Sequence, residues 1–313
     1  MDYYSKGCEL VLAPVSPVGV SLDDVRTRLE PIFRQFRYSV NFIHLSELAR
    51  EAAGITHQPG QDETARLDAA MECGNALRER YGRGDFLALL AIHEINKKRA
   101  YTDEAPEPLL RTVHIIRSLK HADEVETLRQ TCGAGFFLLG VSASMASRRH
   151  HLEQVKGVRE DVDRLVERDD MEKDPLGQQT RNVFELADAY VTTDDISRLS
   201  DQLTRVIEIL FSNPVASPTA EEYAMFMAYA ASLRSADLSR LVVNQRGDIV
   251  STGANDVPRP GGGLYWPGEG DQRDHVHNMI AMSAIKGKLP WMSWNAFLGL
   301  TLRKTTLRKH WES

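Results

Sequence analysis

Apolar positions follow two rhythms along the first two thirds of the chain. Short apolar runs ended by turn residues predict buried strands, and apolar residues three or four apart predict helices with one buried face. Residues 9–15 (ELVLAPV) are a run of the first kind. Ser16-Pro17-Val18-Gly19 turns the chain. Ser21 then stands as an N-cap, with Asp23 and Asp24 in the first helical turn, where acids meet the positive end of the helix dipole. Leu22, Val25, Leu29, Ile32 and Phe33 continue at helical spacing, so the unit is strand, turn, helix. A second strand is expected at 38–44, and 48–83 is expected to be helical and charged. Residues 85–95 (DFLALLAIHEI) fit a buried helix or a buried strand, and periodicity does not choose between them. Further on, 111–118 predicts a strand, 123–131 a helix with Val125 and Leu128 on one face, and 136–142 (FFLLGVS) a parallel strand. A long polar helix or lid is expected over 148–167, a charged loop over 168–181, a short strand at the end of 183–191, and an amphipathic helix over 195–211. Strands alternating with helices predict a parallel sheet covered on both faces.

The pattern then changes. Residues 213–218 (NPVASP) carry a linker signal. An amphipathic helix follows over 220–238, with Tyr223, Phe226, Met227, Ala230 and Leu233 on its apolar face. Strands at 241–244 and 248–252 flank Gln245-Arg246-Gly247, a hairpin signal. Residues 258–263 (PRPGGG) predict a flexible loop. No internal repeat occurs.

Composition narrows the classes. The 313 residues, 42% apolar and 26% charged, fit one large globular domain or two ordinary ones. A net charge of -6 argues against a general nucleic-acid surface. Cys8, Cys73 and Cys132 form neither a CxxC pair nor a disulfide framework, so a reducing cytoplasm is the expected location. The start, MDYYSKGCELVLAPV, lacks the basic and apolar regions of a signal peptide. The longest apolar run, 136–141 broken by Gly140, is far short of the roughly 20 residues of a membrane span, so no membrane partner is expected. Charge is uneven: the residues after Asn278 carry +5 and the rest -11, and Trp291, Trp294 and Trp311 also fall in this last stretch.

A phosphate loop of the form GxxxxGK[ST] joins a strand to a helix; its backbone amides cradle phosphates, its Lys adds charge and its hydroxyl binds magnesium. Here Gly19 and Ser21 match the second glycine and the hydroxyl, while Pro14 replaces the first glycine and Val20 the lysine. Alone, these residues fit a plain strand-to-helix turn as readily. The stretch IIRSLKHADEVETLRQTCGAGFFLLGVSAS resembles the part of small nucleotide kinases where one strand leads through a helix to the next. Arg148 and Arg149 then fall where those kinases have lid arginines, and FELADAYVTTDDISRLSDQLTRVIEIL resembles their closing strand and helix. The resemblance spans roughly 8–212. It implies nucleotide binding at Ser16, Gly19, Ser21, Arg148 and Arg149, with magnesium accompanying the nucleotide. The missing lysine implies little phosphoryl transfer, so nucleotide sensing is favoured over kinase activity.

A second resemblance follows the linker. EEYAMFMAYAASLRSADLSRLVVNQRGDIVSTGANDVPRPGGGLYWP resembles the opening of the cytidine and deoxycytidylate deaminase fold: a helix with an RS..LSR pattern (Arg234, Ser235, Leu238, Ser239, Arg240), a hairpin, then G-x-N-x-x-P (Gly253, Asn255, Pro258). It implies that Asn255 contacts the sugar or phosphate of a nucleotide. The GGGLYWP extension resembles the two-domain P-loop/deaminase proteins that defend bacteria against phage by depleting dCTP. Deamination in that family needs zinc on one His and two Cys, with a proton-shuttling Glu, as H-x-E and P-C-x-x-C. Neither motif occurs: all three cysteines precede the segment, and His275-Val276-His277 is H-x-H with no later Cys. No zinc and no catalytic residue are therefore expected. Leu241-Val242-Val243 also stands where the family usually has Gln-Val-Gly-Ala, which shortens the first strand. The stretch from Asn278 can be encoded so that an adjacent frame reads as a polar, helix-forming string, so the tail is expected to be a frameshifted terminus.

The expected fold class is α/β: a P-loop nucleotide-kinase-like parallel-sheet domain over 1–212, the start of a cytidine-deaminase-like α/β domain over 213–278, and an atypical tail over 279–313. The expected function is that of a truncated deoxycytidine-nucleotide deaminase relative, inactive as a deaminase. The alternatives are a nucleotide-binding regulatory module and a degenerate small nucleotide kinase. Expected partners are a nucleotide (dCTP, dCMP or ATP) and a second copy of the chain.

Overall fold

The computed structural model describes residues 7–55, 63–99, 107–158, 162–170, 177, 179–213, 215–232, 240–243, 249–253 and 261. These fall into two compact units, the first reaching Ser212 and the second beginning at Asn213. The expected loop at 258–263 is described only at Gly261, and Asn255, His275, His277 and the tail over 279–313 lie outside the described residues.

The first unit is an α/β fold around five parallel strands: β1 (Glu9–Val15), β2 (Ser39–His44), β3 (Thr112–Arg117), β4 (Phe136–Ser142) and β5 (Ala189–Thr192), in the order β2-β3-β1-β4-β5. The expected parallel sheet is present, and its inner strands β1, β3 and β4 have the burial such a sheet requires. Along β1, Leu10 and Leu12 point to one face and Val11, Ala13 and Val15 to the other. The first face packs on α1 (Leu22–Gln35) through Val25, Leu29 and Phe33, and on α9 (Ile196–Leu210) through Leu199, Leu203 and Ile207. The second face packs on α2 (Leu45–Ala52), α3 (Glu63–Tyr81), α4 (Phe86–Lys98), α5 (Ala122–Cys132) and α8 (Thr180–Glu185).

Two expectations are refined here. The run over 85–95 is helix α4: at 13 residues it exceeds an ordinary strand, and Leu87, Ala88, Ala91 and Ile95 bury one helical face. The expected long helix over 148–167 is not a single element. Ser144 caps a short helix, α6 (Met145–His150), a π-helical turn follows at His151–Val155, and Gly157 at φ +72° breaks the path. A separate helix, α7 (Val162–Asp170), occupies the far part and takes in the first residues of the expected loop.

The second unit opens with helix α10 (Ala220–Ser232). Its start is a reciprocal cap: Thr219 Oγ1 accepts the Glu222 amide at 3.2 Å, and Glu222 Oε2 accepts the Thr219 amide at 2.7 Å. The expected hairpin follows as β6 (Arg240–Val243) antiparallel to β7 (Ile249–Gly253), with a register irregularity at Val242/Val243. Helix α10 lies against both strands.

Candidate functional site

β1 is flanked by β3 and β4. From β1 the chain passes through α1 to β2 at one edge, whereas β3 leads through α5 to β4 on the other side. The two helices therefore cover opposite faces. At such a switch point an open parallel sheet leaves a crevice outside the carboxyl ends of its strands. A cavity of about 390 Å³ lies there, lined by the β1–α1 turn and by residues that include Arg50, Arg66, Arg117, Lys120, Lys156 and Asp169.

The turn is fixed by its own sequence. Ser21 Oγ accepts the Asp24 amide and caps α1, as its position in the sequence predicts. Gly19 has φ +90°, a conformation L residues rarely adopt, and a side chain there would also meet the Arg148 carbonyl oxygen at 2.8 Å. Arg148 is buried, and its Nε donates to the Val18 carbonyl at 2.9 Å. It thus braces the turn from α6.

One buried carboxylate organises the floor of the crevice. Asp169, near the end of α7, is fully buried; its Oδ2 accepts the Val18 amide at 2.7 Å. Its Oδ1 accepts Lys120 Nζ at 2.6 Å and Thr180 Oγ1 at 3.1 Å. Lys120 Nζ also donates to the Ser16 carbonyl at 3.2 Å. The backbone of Lys120 is held from behind: Glu124 Oε2 accepts the Lys120 amide at 2.8 Å and the His121 amide at 3.1 Å, while its Oε1 accepts Arg78 Nη2 at 2.8 Å. A backbone amide and an ammonium thus converge on one anionic group, the arrangement that holds a phosphate in a phosphate loop. The lysine comes from the segment after β3, not from the turn itself.

The rim is charged as well. Burial pushes the Asp23 carboxyl up, but the Arg117 hydrogen bond at 2.6 Å and the charges of Arg117 and Lys156 outweigh it and hold the group below the usual carboxylate range. Burial, with help from Lys156, lowers the His151 imidazole, against the pull of Asp24 and Asp23. Helix α7 is pinned to α3 where Asp68 receives Arg164 at 2.5 Å and Arg168 at 3.0 Å. Those hydrogen bonds, led by Arg164, keep Asp68 below its ordinary range against a smaller effect of burial.

Of the residues singled out by sequence, Ser16, Gly19, Ser21 and Arg148 stand together at the turn. Arg149 is exposed and pairs with Asp163 of α7. Sequence reasoning missed Lys120, Asp169 and Glu124. Lys120 lies inside the kinase-like stretch, and the acid four residues after it at the start of α5 is the signal that could have drawn attention to it.

The described residues do not fit a protein-held metal. Among the described residues no group of three His, Cys, Asp or Glu side chains is placed to hold one. Burial raises the Cys73 and Cys132 thiols, which disfavours the thiolate that zinc takes. No Cys occurs after residue 132. No described helix is long and apolar enough to cross a membrane.

No family model matches the chain, and no curated protein matches it significantly. The chain is similar, at low identity, to solved structures of kinases. A gluconokinase from Sinorhizobium meliloti is 14% identical at TM-score 0.34, over 66% of this chain and 95% of that one. A shikimate kinase from Acinetobacter baumannii, solved with shikimate, is 12% identical at TM-score 0.39, over 68% and 97%. A sugar kinase from a Janibacter species is 12% identical at TM-score 0.28, over 68% and 99%.

Proposed function

We propose that the first unit is a nucleotide-binding regulatory module built on a degenerate small-kinase scaffold. The observation that carries this is the convergence of the Val18 amide and the Lys120 ammonium on one anion position at the switch point of the sheet. Ser16, Gly19 and Ser21 shape the turn around the phosphates, and the Arg117 side supplies further positive charge. Lys120 supplies the charge that Val20 cannot. Phosphoryl transfer also needs groups that stabilise the transferring phosphoryl and position its acceptor, and magnesium enters such a site with the nucleotide's own phosphates. The turn contributes the Ser21 hydroxyl to that ion and no lysine, which supports binding with little turnover.

Calorimetric titration of the full chain with ATP, ADP, dCTP and dCMP, with and without magnesium, tests the proposal. Saturable binding with Kd of about 0.1–1 mM is expected, weakened about tenfold or more by Lys120→Ala. No saturable heat with any of them up to about 10 mM overturns it. Hydrolysis at ordinary kinase rates, about 1 per second or faster, overturns the regulatory assignment.

For the second unit, a capped helix followed by an antiparallel hairpin supports the opening of a cytidine-deaminase-like fold. Asn255 is the nucleotide-contacting residue in that reading. No Cys occurs after residue 132 of this sequence, and no deamination is proposed for it.

A further inference from the structure

We infer that Asp169 is an internal occupant of the phosphate position, so that helix α7 autoinhibits the site and a ligand phosphate must displace it. This rests on the reading of the β1–α1 turn as a phosphate site. Three observations carry it. First, the two donors that a phosphate would take, the Val18 amide and Lys120 Nζ, both bind the Asp169 carboxylate, at 2.7 and 2.6 Å. A carboxylate and a phosphate oxygen are alternative acceptors for the same charge-assisted hydrogen bonds, so the two anions exclude each other from one donor pair. Second, Asp169 is fully buried, yet its charged partner is a single lysine that is itself half-shared with the Ser16 carbonyl. Burying a carboxylate is costly unless it is paired and hydrogen-bonded, and Thr180 Oγ1 supplies the remaining bond. The set is complete as it stands, and it leaves no anion vacancy at the turn.

Third, α7 is held by contacts of a kind that can open. Besides Asp169, its polar attachments include the Arg164 and Arg168 bonds to Asp68, the Arg168 bond to Glu72, and the Arg149–Asp163 pair. Arg149, Asp163, Arg164 and Glu72 are exposed in these pairs, where ion pairs contribute little and are screened by salt, while Arg168 and Asp68 are half-buried. Its apolar anchorage is a small cluster of Leu165, Val166, Leu152 and Val158, with Val18 of the turn, Leu67 and Val162 packed against it, separate from the two sheet-facing cores. Helix α7 can thus leave the turn by giving up the contact with Val18 while the two sheet-facing cores stay packed. A ligand selects the open state to the extent that it binds there better, and its apparent affinity falls by the fraction of molecules that are open.

Titration of the full chain with ATP and with inorganic triphosphate, together with amide hydrogen exchange, tests the inference. Asp169→Asn should bind both at least about tenfold more tightly than the wild type, and Asp68→Asn, which loosens the clasp without touching the turn, should tighten binding by a smaller factor. In the wild type, saturating ATP should speed exchange over residues 162–170, a readout that survives if Asp169→Asn fails to fold. If the wild type binds ATP but exchange over 162–170 is unchanged or slower, or if Asp169→Asn folds and binds no more tightly, the inference falls while the site stands. If wild type and both variants bind neither ligand, the site reading itself falls and the inference with it.

Discussion

Removing the Glu124 carboxylate should destabilise the first unit more than any change on its surface. Glu124 is fully buried and serves four donors: Arg78 Nε at 3.1 Å, Arg78 Nη2 at 2.8 Å, and the amides of Lys120 and His121. Glu124→Ala leaves a guanidinium only 1% exposed without its counter-charge. Breaking a buried pair from one side costs about 3–5 kcal/mol. Asn75 Oδ1 still accepts Arg78 Nη1 at 3.2 Å, which favours the lower end. The two orphaned amides add about 1–3 kcal/mol each where water does not reach them, so with about 3 kcal/mol for the pair the total is roughly 5–9 kcal/mol. For a unit of about 200 residues, at about 2–4 °C per kcal/mol, Tm should fall by roughly 10–35 °C. Differential scanning calorimetry reads the shift directly. Glu124→Gln keeps one oxygen for either Arg78 or the amides and should fall between. Arg78→Met strands the carboxylate instead, and combined with Glu124→Ala it should cost less than the two single losses together, with a coupling of about 1–3 kcal/mol. A Tm shift under about 3 °C for Glu124→Ala, or losses that simply add, would refute the assignment.

Three further outcomes are expected. Gly19→Ala combines a positive φ, at about 1–2 kcal/mol, with the 2.8 Å approach to the Arg148 carbonyl, and should lose more Tm than Gly54→Ala, where φ is +69° and nothing lies within 4 Å; equal losses in thermal unfolding would contradict the close packing. The folded pKa of His151 lies below the unfolded value of about 6.5, so its contribution to stability is present above that value and is lost as pH falls through the depressed folded value. Thermal melts from about pH 7.5 to 5.5 should therefore fall more steeply for the wild type than for His151→Gln, and parallel curves would remove His151 as the cause. Metal analysis of the purified chain should find no stoichiometric zinc; one tightly held ion per chain would contradict this and, with no ligand set among the described residues, turn attention to His275 and His277.

The strands were legible because a strand buried on both faces writes its burial into consecutive residues, as in ELVLAPV and FFLLGVS. The turn was legible through Ser21 and Gly19, whose roles are local: one caps a helix within three residues, the other takes up a backbone angle. The centre of the site was not legible. Lys120 and Asp169 are 49 positions apart, and Arg78 and Glu124 are 46 apart; each pair is made by the sheet, and no periodicity reports it. The phosphate-loop motif ties the lysine to the turn at position 20, where the sequence has Val. Three dimensions allow the neighbouring strand to deliver it. The split over 148–167 has a local cause: Gly157, at φ +72°, interrupts a polar stretch that otherwise suits a helix.

The place of β1 in the sheet has a consequence for how the chain is made. It leaves the ribosome first among the strands, yet it is the central one, and Glu9 aligns with Thr112 of β3, about 100 residues later. Its other neighbour is later still, with Val11 aligned to Phe136. At synthesis rates of about 5–20 residues per second, an apolar strand waits roughly 5–20 seconds for its first partner. During that interval α1 can cover Leu10 and Leu12 through a local contact, but the face bearing Val11, Ala13 and Val15 depends on helices and strands not yet translated. Nascent chains stalled before β3 should therefore engage chaperones that bind short apolar segments, and chains released beyond β4 should need them much less. The order in which the elements are synthesised thus makes the central strand of the finished fold its most exposed liability during birth.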